Sequence, residues 1–134
     1  TMPYSFRQPP GRSNALGYVK FLFPNRHSVS MHDTPSRNLL DRDTRACSHG
    51  CVRVQNANEM ADVVLAAQGW PAERIAAAIA GGRNQHIALE QKIGVHLTYF
   101  TAWADEHGLS VYNDVYDRDT RLRRALGDNR LALK

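Results

Sequence analysis

The sequence predicts an α+β domain with a mostly antiparallel sheet and flanking helices. Three observations carry that prediction. Short stretches of alternating β-branched and aromatic residues recur near both ends of the chain, two punctuated amphipathic helices lie between them, and no repeat or low-complexity tract intervenes. At 134 residues, with 43% hydrophobic and 22% charged residues, the chain is long enough to bury a core.

Gln8-Pro9-Pro10-Gly11-Arg12-Ser13-Asn14 has no hydrophobic period, so residues 1–14 read as an entry loop. Val19, Phe21 and Phe23 alternate before Pro24-Asn25, and Val29 and Met31 resume the pattern up to His32, which predicts a hairpin. The polar, Arg-rich stretch from Asp33 to Ser48 reads as a loop with one helical turn, anchored by Leu39-Leu40. Asn56 with Glu59 has the form of a capping box, and Met60, Val63, Val64 and Ala67 follow at helical spacing up to Gly69. Pro71 opens a second helix with Ile75, Ala78 and Ile79 on one stripe and Gly81-Gly82 as its stop. Ile87 and Leu89, then Val95, Leu97 and Tyr99, then Leu109 and Val111 predict three further strands, with Glu106-His107-Gly108 turning between the last two. Asp119 to Leu126 predicts a short basic helix.

Seventeen Lys and Arg against thirteen Asp and Glu give a net charge of +4, which favours anionic partners such as carboxylates. The arginines are scattered and no aromatic residues interleave with them, so nucleic acid is not an expected partner. No apolar run approaches the length of a membrane span. Two cysteines are too few for a disulfide-stapled miniprotein.

The chemistry concentrates in Ser48-His49-Gly50-Cys51-Val52-Arg53, where a cysteine leaves a polar loop and enters a strand. A thiol acts as a nucleophile only as thiolate, which needs a base or a positive field, and His32, His49 and Arg53 are the groups that could supply one. His49 is tethered too closely to Cys51 for easy in-line proton abstraction. His32, arriving from a separate strand, is assigned as base, and His49 takes a supporting role in shaping the turn or polarising the substrate. Cys47, His49 and Cys51 could instead begin a metal site, but their spacing names no fourth ligand. Cys47 alone reads as a small core residue. A Cys47–Cys51 disulfide is not expected, because an extended chain would separate the two by roughly 13 Å.

Leu16-Gly17, Lys20-Phe21, Phe23-Pro24-Asn25, His32-Asp33-Thr34-Pro35 and the Ser48–Arg53 block together resemble the signature of the YkuD-type L,D-transpeptidases. The similarity extends more weakly through Asn56 to Trp70 and into Val95 to Tyr99, and is closest to large periplasmic Gram-negative members. The resemblance implies a cysteine enzyme of peptidoglycan that needs no cofactor. Its nucleophile would be Cys51 and its general base His32, oriented by a backbone carbonyl at or near Asp33. His49 would lie near the oxyanion, and Ser48 and Gly50 would form the oxyanion site or the turn. Arg53 would orient the site or meet a substrate carboxylate. The same resemblance implies stem peptides as substrates, carbapenem-type inhibitors as ligands and a periplasmic location. It places residues 1–134 as the C-terminal portion of such a catalytic domain, whose early strands would form a missing upstream partner segment. Cys47 stands where relatives more often carry a bulky apolar residue. A hydrolase of the same fold and a non-catalytic cell-wall binding module are the alternatives.

Overall fold

The computed structural model describes residues 3–127, which divide between two units, Thr1–Val95 and His96–Lys134. The first unit holds a three-stranded sheet and two helices. Its strands are β1 (Lys20–Phe21), β2 (Met31–His32) and β3 (Val52–Arg53), in the order β1-β2-β3. β1 and β2 pair antiparallel, with Lys20 opposite His32 and Phe21 opposite Met31. β2 and β3 pair in parallel, with Met31 opposite Val52 and His32 opposite Arg53.

The predicted first hairpin is therefore present, and Asn25 explains how it turns. Its side-chain amide donates to the carbonyls of Phe23 (3.0 Å) and Val29 (2.7 Å), while its Oδ1 accepts the N–H groups of His27 and Val29, both at 3.0 Å. One asparagine thus satisfies backbone groups on both arms of the loop, as short amide side chains commonly do in turns. The pairing of β3 is the one parallel ladder among the described residues, in keeping with a mostly antiparallel sheet. Parallel neighbours need a long crossover, and here it is the stretch after Asp33, irregular except for one 3-10 turn at Arg37–Leu39.

Helices α1 (Ala57–Ala66) and α2 (Ala72–Ala80) follow. The buried face of α1 is Ala57, Ala61 and Leu65, while Val63 is 75% exposed, so the expected stripe of Met60, Val63, Val64 and Ala67 is displaced around the helix. Small alanines at i and i+4 let the helix lie close to its neighbours, and that contact outweighs the pattern of the larger side chains. The expected capping box does not form: Asn56 Nδ2 donates to Glu59 Oε2 at 2.9 Å, and neither side chain caps the backbone. In α2 the predicted stripe holds, with Ile75 buried and Ala78 and Ile79 half-buried.

Ala61, Leu65 and Ile75 form the core, and Val19, Phe21, Trp70, Ile79, Ile87 and Leu89 pack against it. Ile87 and Leu89 point inward at a strand-like spacing, yet their backbone is not in a strand. The Gln68 side chain takes the place of a neighbouring strand: its amide donates to Ala88 O (3.3 Å) and its carbonyl accepts Glu90 N–H (3.1 Å). The Arg74 guanidinium lies 3.6 Å from the Trp70 ring centroid and covers the edge of this core.

In the second unit β4 (Ala102–Asp105) and β5 (Gly108–Val111) form a hairpin, with Asp105 opposite Gly108. The strand expected over Val95, Leu97 and Tyr99 is absent, and Ala102–Asp105 takes its place beside Leu109 and Val111. The reason is local, since Asp105 Oδ1 accepts His107 N–H at 2.8 Å and closes the turn two residues after β4. α3 (Arg118–Ala125) corresponds to the predicted basic helix, and Asp114 Oδ2 accepts the Asp119 N–H in its first turn at 2.7 Å.

Gly17 is a fixed point of the first unit. Its φ is +64°, and a Cβ there would overlap the Asp33 carboxylate and lie 2.7 Å from Asp33 Cβ. Gly17→Ala should cost about 2–4 kcal/mol, the left-handed backbone and the steric overlap adding. Gly69→Ala, at φ +76° in open space, should cost only about 1–2 kcal/mol. Urea unfolding of the two variants measures the difference, and equal losses would show that Asp33 yields freely.

Candidate active site

The strand register decides which side chains share a face. Lys20 lies opposite His32, and His32 lies opposite Arg53. Side chains two residues apart on a strand point the same way. Ser30 and Cys51 therefore join Lys20, His32 and Arg53 on one face. The ladder continues past the strands on both sides, with Val52 N–H donating to Ser30 O and Val54 N–H to His32 O, each at 2.9 Å.

His32 is buried at 5% exposure. Its Nδ1 lies 2.5 Å from the carbonyl oxygen of Asp33. A carbonyl can only accept, so in the neutral ring Nδ1 carries the proton and Nε2 is left with the lone pair a base needs. The Asp33 side chain performs a different task. Oδ2 accepts Tyr18 N–H at 3.0 Å, Oδ1 pairs with Arg37 at 3.2 Å, and the Asp33 N–H donates to Val19 O at 2.8 Å. Arg37 also donates to Gln55 O at 2.7 Å, so one guanidinium ties Asp33 to the chain leaving β3. A carboxylate buried at 3% exposure needs such partners, because an unpaired buried charge costs several kcal/mol.

Cys51 is half-buried, and its Sγ lies 3.5 Å from Ser30 Oγ. The Ser30 hydroxyl, followed by the Ser30 backbone N–H, holds the Cys51 thiol below its ordinary pKa; burial opposes them and the Lys20 charge assists. Among the described residues His32 makes no hydrogen bond to the sulfur. Ser48 shapes the turn before it: its hydroxyl donates to Cys51 O at 2.6 Å and accepts Gly50 N–H at 3.2 Å. Gly50 has φ +137°, a conformation that strongly favours glycine. The Gly50 N–H is thereby occupied, whereas the Cys51 N–H meets no acceptor among the described residues. His49 is exposed on this turn, away from any hydrogen bond among the described residues.

Arg53 is half-buried. It donates through one nitrogen to Cys47 O at 3.4 Å, while its other terminal nitrogen is buried with no partner. Cys47 itself is exposed, not a core residue, because the loop it sits on lies wholly at the surface. Both thiols are free. The segment between them is a folded turn, not the extended chain assumed from sequence. No helix among the described residues is long and apolar enough to cross a membrane.

Two residues of this face carry no role in the sequence reading, namely Ser30 and Lys20. Both were within reach of the alternation that places His32, since Ser30 precedes it by two residues and Lys20 begins the facing strand.

The YkuD family profile, described as the L,D-transpeptidase catalytic domain, matches residues 1–109. The chain belongs to the YkuD family. It is 35% identical over 123 residues, 92% of its length, to a Haemophilus influenzae protein named "Putative L,D-transpeptidase". It spans 25% of that relative's length.

The lowered Cys51 pKa gives a pH signature. Alkylation of Cys51 by iodoacetamide should reach half its maximal rate at a lower pH than that of a free cysteine peptide, as followed by peptide mass mapping across pH 5 to 10. Coincident profiles would show that the site does not lower the pKa of this thiol.

Proposed function

We propose that this YkuD domain is a cysteine-dependent peptidoglycan L,D-transpeptidase of the periplasm. The observation that carries the reading is the shared face of β2 and β3. There a thiol whose pKa is lowered shares a strand face with a buried imidazole whose Nδ1 is committed to the Asp33 carbonyl. That commitment leaves Nε2 as the atom that accepts and returns a proton.

In the proposed reaction Cys51 Sγ attacks the carbonyl at the L-centre of the third stem residue, a diaminopimelate, in a tetrapeptide. The tetrahedral oxyanion takes the Cys51 N–H, a backbone donor with no acceptor of its own among the described residues. His32 Nε2, having taken the proton of the Cys51 thiol, gives it to the departing amine, so that D-alanine leaves and a thioester remains. An acceptor amine of a second stem then attacks the thioester and loses a proton to His32. Its carbon–nitrogen bond forms as the carbon–sulfur bond breaks. If the acceptor is the side-chain amine of another diaminopimelate, the product is a 3→3 cross-link. The unpartnered nitrogen of Arg53 is suited to a substrate carboxylate, which a planar guanidinium can meet with two parallel hydrogen bonds.

Incubation with purified disaccharide tetrapeptides, read by mass spectrometry, tests this reading. Cross-linked dimers and free D-alanine are expected. Shortened monomers alone would mean hydrolysis, and unchanged substrate would mean a binding module. His32→Ala should slow turnover by about 10²–10⁴-fold, the usual worth of a positioned general base. Arg53→Lys should raise KM for the donor peptide although it keeps the charge. Parental kinetics in either variant would remove that residue from its role.

A further inference from the structure

We propose that Ser30 is the positioning residue of the nucleophile: its hydroxyl, set beside Cys51 Sγ by the parallel register of β2 and β3, hydrogen-bonds the sulfur and stabilises the thiolate when it forms. The inference rests on reading Cys51 as the nucleophile and adds a division of labour. Ser30 stabilises the anion, and His32 moves the protons.

Three observations support it. Ser30 is buried at 5% exposure, so its hydroxyl cannot rely on water, and a buried hydroxyl without a partner is costly. Cys51 Sγ, at 3.5 Å, is the partner of that hydroxyl among the described residues. Either atom can donate when the sulfur is a thiol, whereas a thiolate can only accept and is the far stronger acceptor, so this contact favours the anion.

The position of Ser30 is also fixed from several sides. Its carbonyl accepts Val52 N–H at 2.9 Å, which locks the two strands at the level of the sulfur. Val29, the residue before it, is pinned by both its N–H and its carbonyl to the Asn25 side chain. The hydroxyl is therefore presented at the start of the central strand, from a backbone held on both sides.

The charged and titratable groups that share this face are Lys20 from β1, His32 from β2 and Arg53 from β3, with His49 on the turn. Lys20 adds a positive field that favours the thiolate. Arg53 directs one nitrogen to the Cys47 carbonyl. His32 spends Nδ1 on Asp33 O and makes no hydrogen bond to the sulfur among the described residues. Ser30 is the group in direct contact.

The test is the pH profile of iodoacetamide alkylation at Cys51 in the full chain carrying Cys47→Ala. Ser30→Ala should move the midpoint upward by about one pH unit, the order expected for one hydrogen bond to a charged group. Alkylation would then be about tenfold slower than the parent well below the parent's midpoint and equal to it well above both midpoints. His32→Ala should shift the midpoint less than Ser30→Ala does. Should Ser30→Ala fail to fold, the isosteric pair Ser30→Thr and Ser30→Val decides, since the two differ only in the hydroxyl. Thr is expected to keep the parental profile and Val to lose it.

A Ser30→Ala midpoint equal to the parent's, or coincident Thr and Val profiles, would overturn the assignment. Alkylation reads the thiol whatever the substrate is. A shifted profile in a protein that never releases D-alanine would therefore sink the transpeptidase reading and leave Ser30 in place. Cross-linking with an unshifted profile would do the reverse.

Discussion

The buried carboxylate of Asp33 is the constraint on which the site depends. It takes the Tyr18 N–H at the entry to β1 and the guanidinium of Arg37 from the crossover, and that same guanidinium reaches Gln55 beyond β3. Three separate segments are thus tied to one side chain. The backbone of Asp33 adds the link to chemistry, because its carbonyl holds His32 Nδ1. Charge-assisted hydrogen bonds of this kind contribute about 1.5–3 kcal/mol each, and losing one partner would leave a buried charge exposed to its full desolvation cost. Gly17 lets the chain pass over the carboxylate at all, since any side chain at that position would occupy the same space. The register of two-residue strands, too short to specify themselves, is fixed by this polar knot.

Once the register is set, the shared face of the candidate site follows from strand geometry alone. A parallel neighbour places Cys51 level with Ser30 and Arg53 level with His32, so the imidazole and the sulfur are carried by adjacent strands one step apart. The turn before Cys51 is held by Ser48, which spends the Gly50 N–H and leaves the Cys51 N–H available. Paired strands carry His32 and Cys51, and the exposed loop before Cys51 is tied to them through Ser48 and the Cys47 carbonyl.

Much of this was legible in the sequence, for identifiable reasons. Alternation found the first hairpin because Val19 and Phe21 pack against the core and Phe23 is half-buried, while Tyr18, Lys20 and Leu22 are exposed. Pro71 and Gly81 bracketed α2 because their backbone preferences suit helix ends. Local pattern failed where a side chain from elsewhere supplied the backbone's partners, as Gln68 does beside Ile87 and Leu89. It failed again in α1, where close packing of Ala57 and Ala61 outranked the larger residues. At the site, the motif placed Cys51 and His32 on neighbouring strands. The contact between Ser30 and the sulfur depends on the parallel register, which no local pattern encodes. The exposure of Cys47 likewise depends on a crossover with almost no regular structure.

The central claim is that Cys51, and not Cys47, is the acylated atom. Intact-mass analysis after exposure to a carbapenem tests it most directly, because the strained lactam carbonyl traps an attacking thiolate as a stable acyl adduct. The account predicts a single adduct that maps to Cys51, disappears in Cys51→Ser and persists in Cys47→Ala. An adduct on Cys47, or one that survives Cys51→Ser, would contradict it.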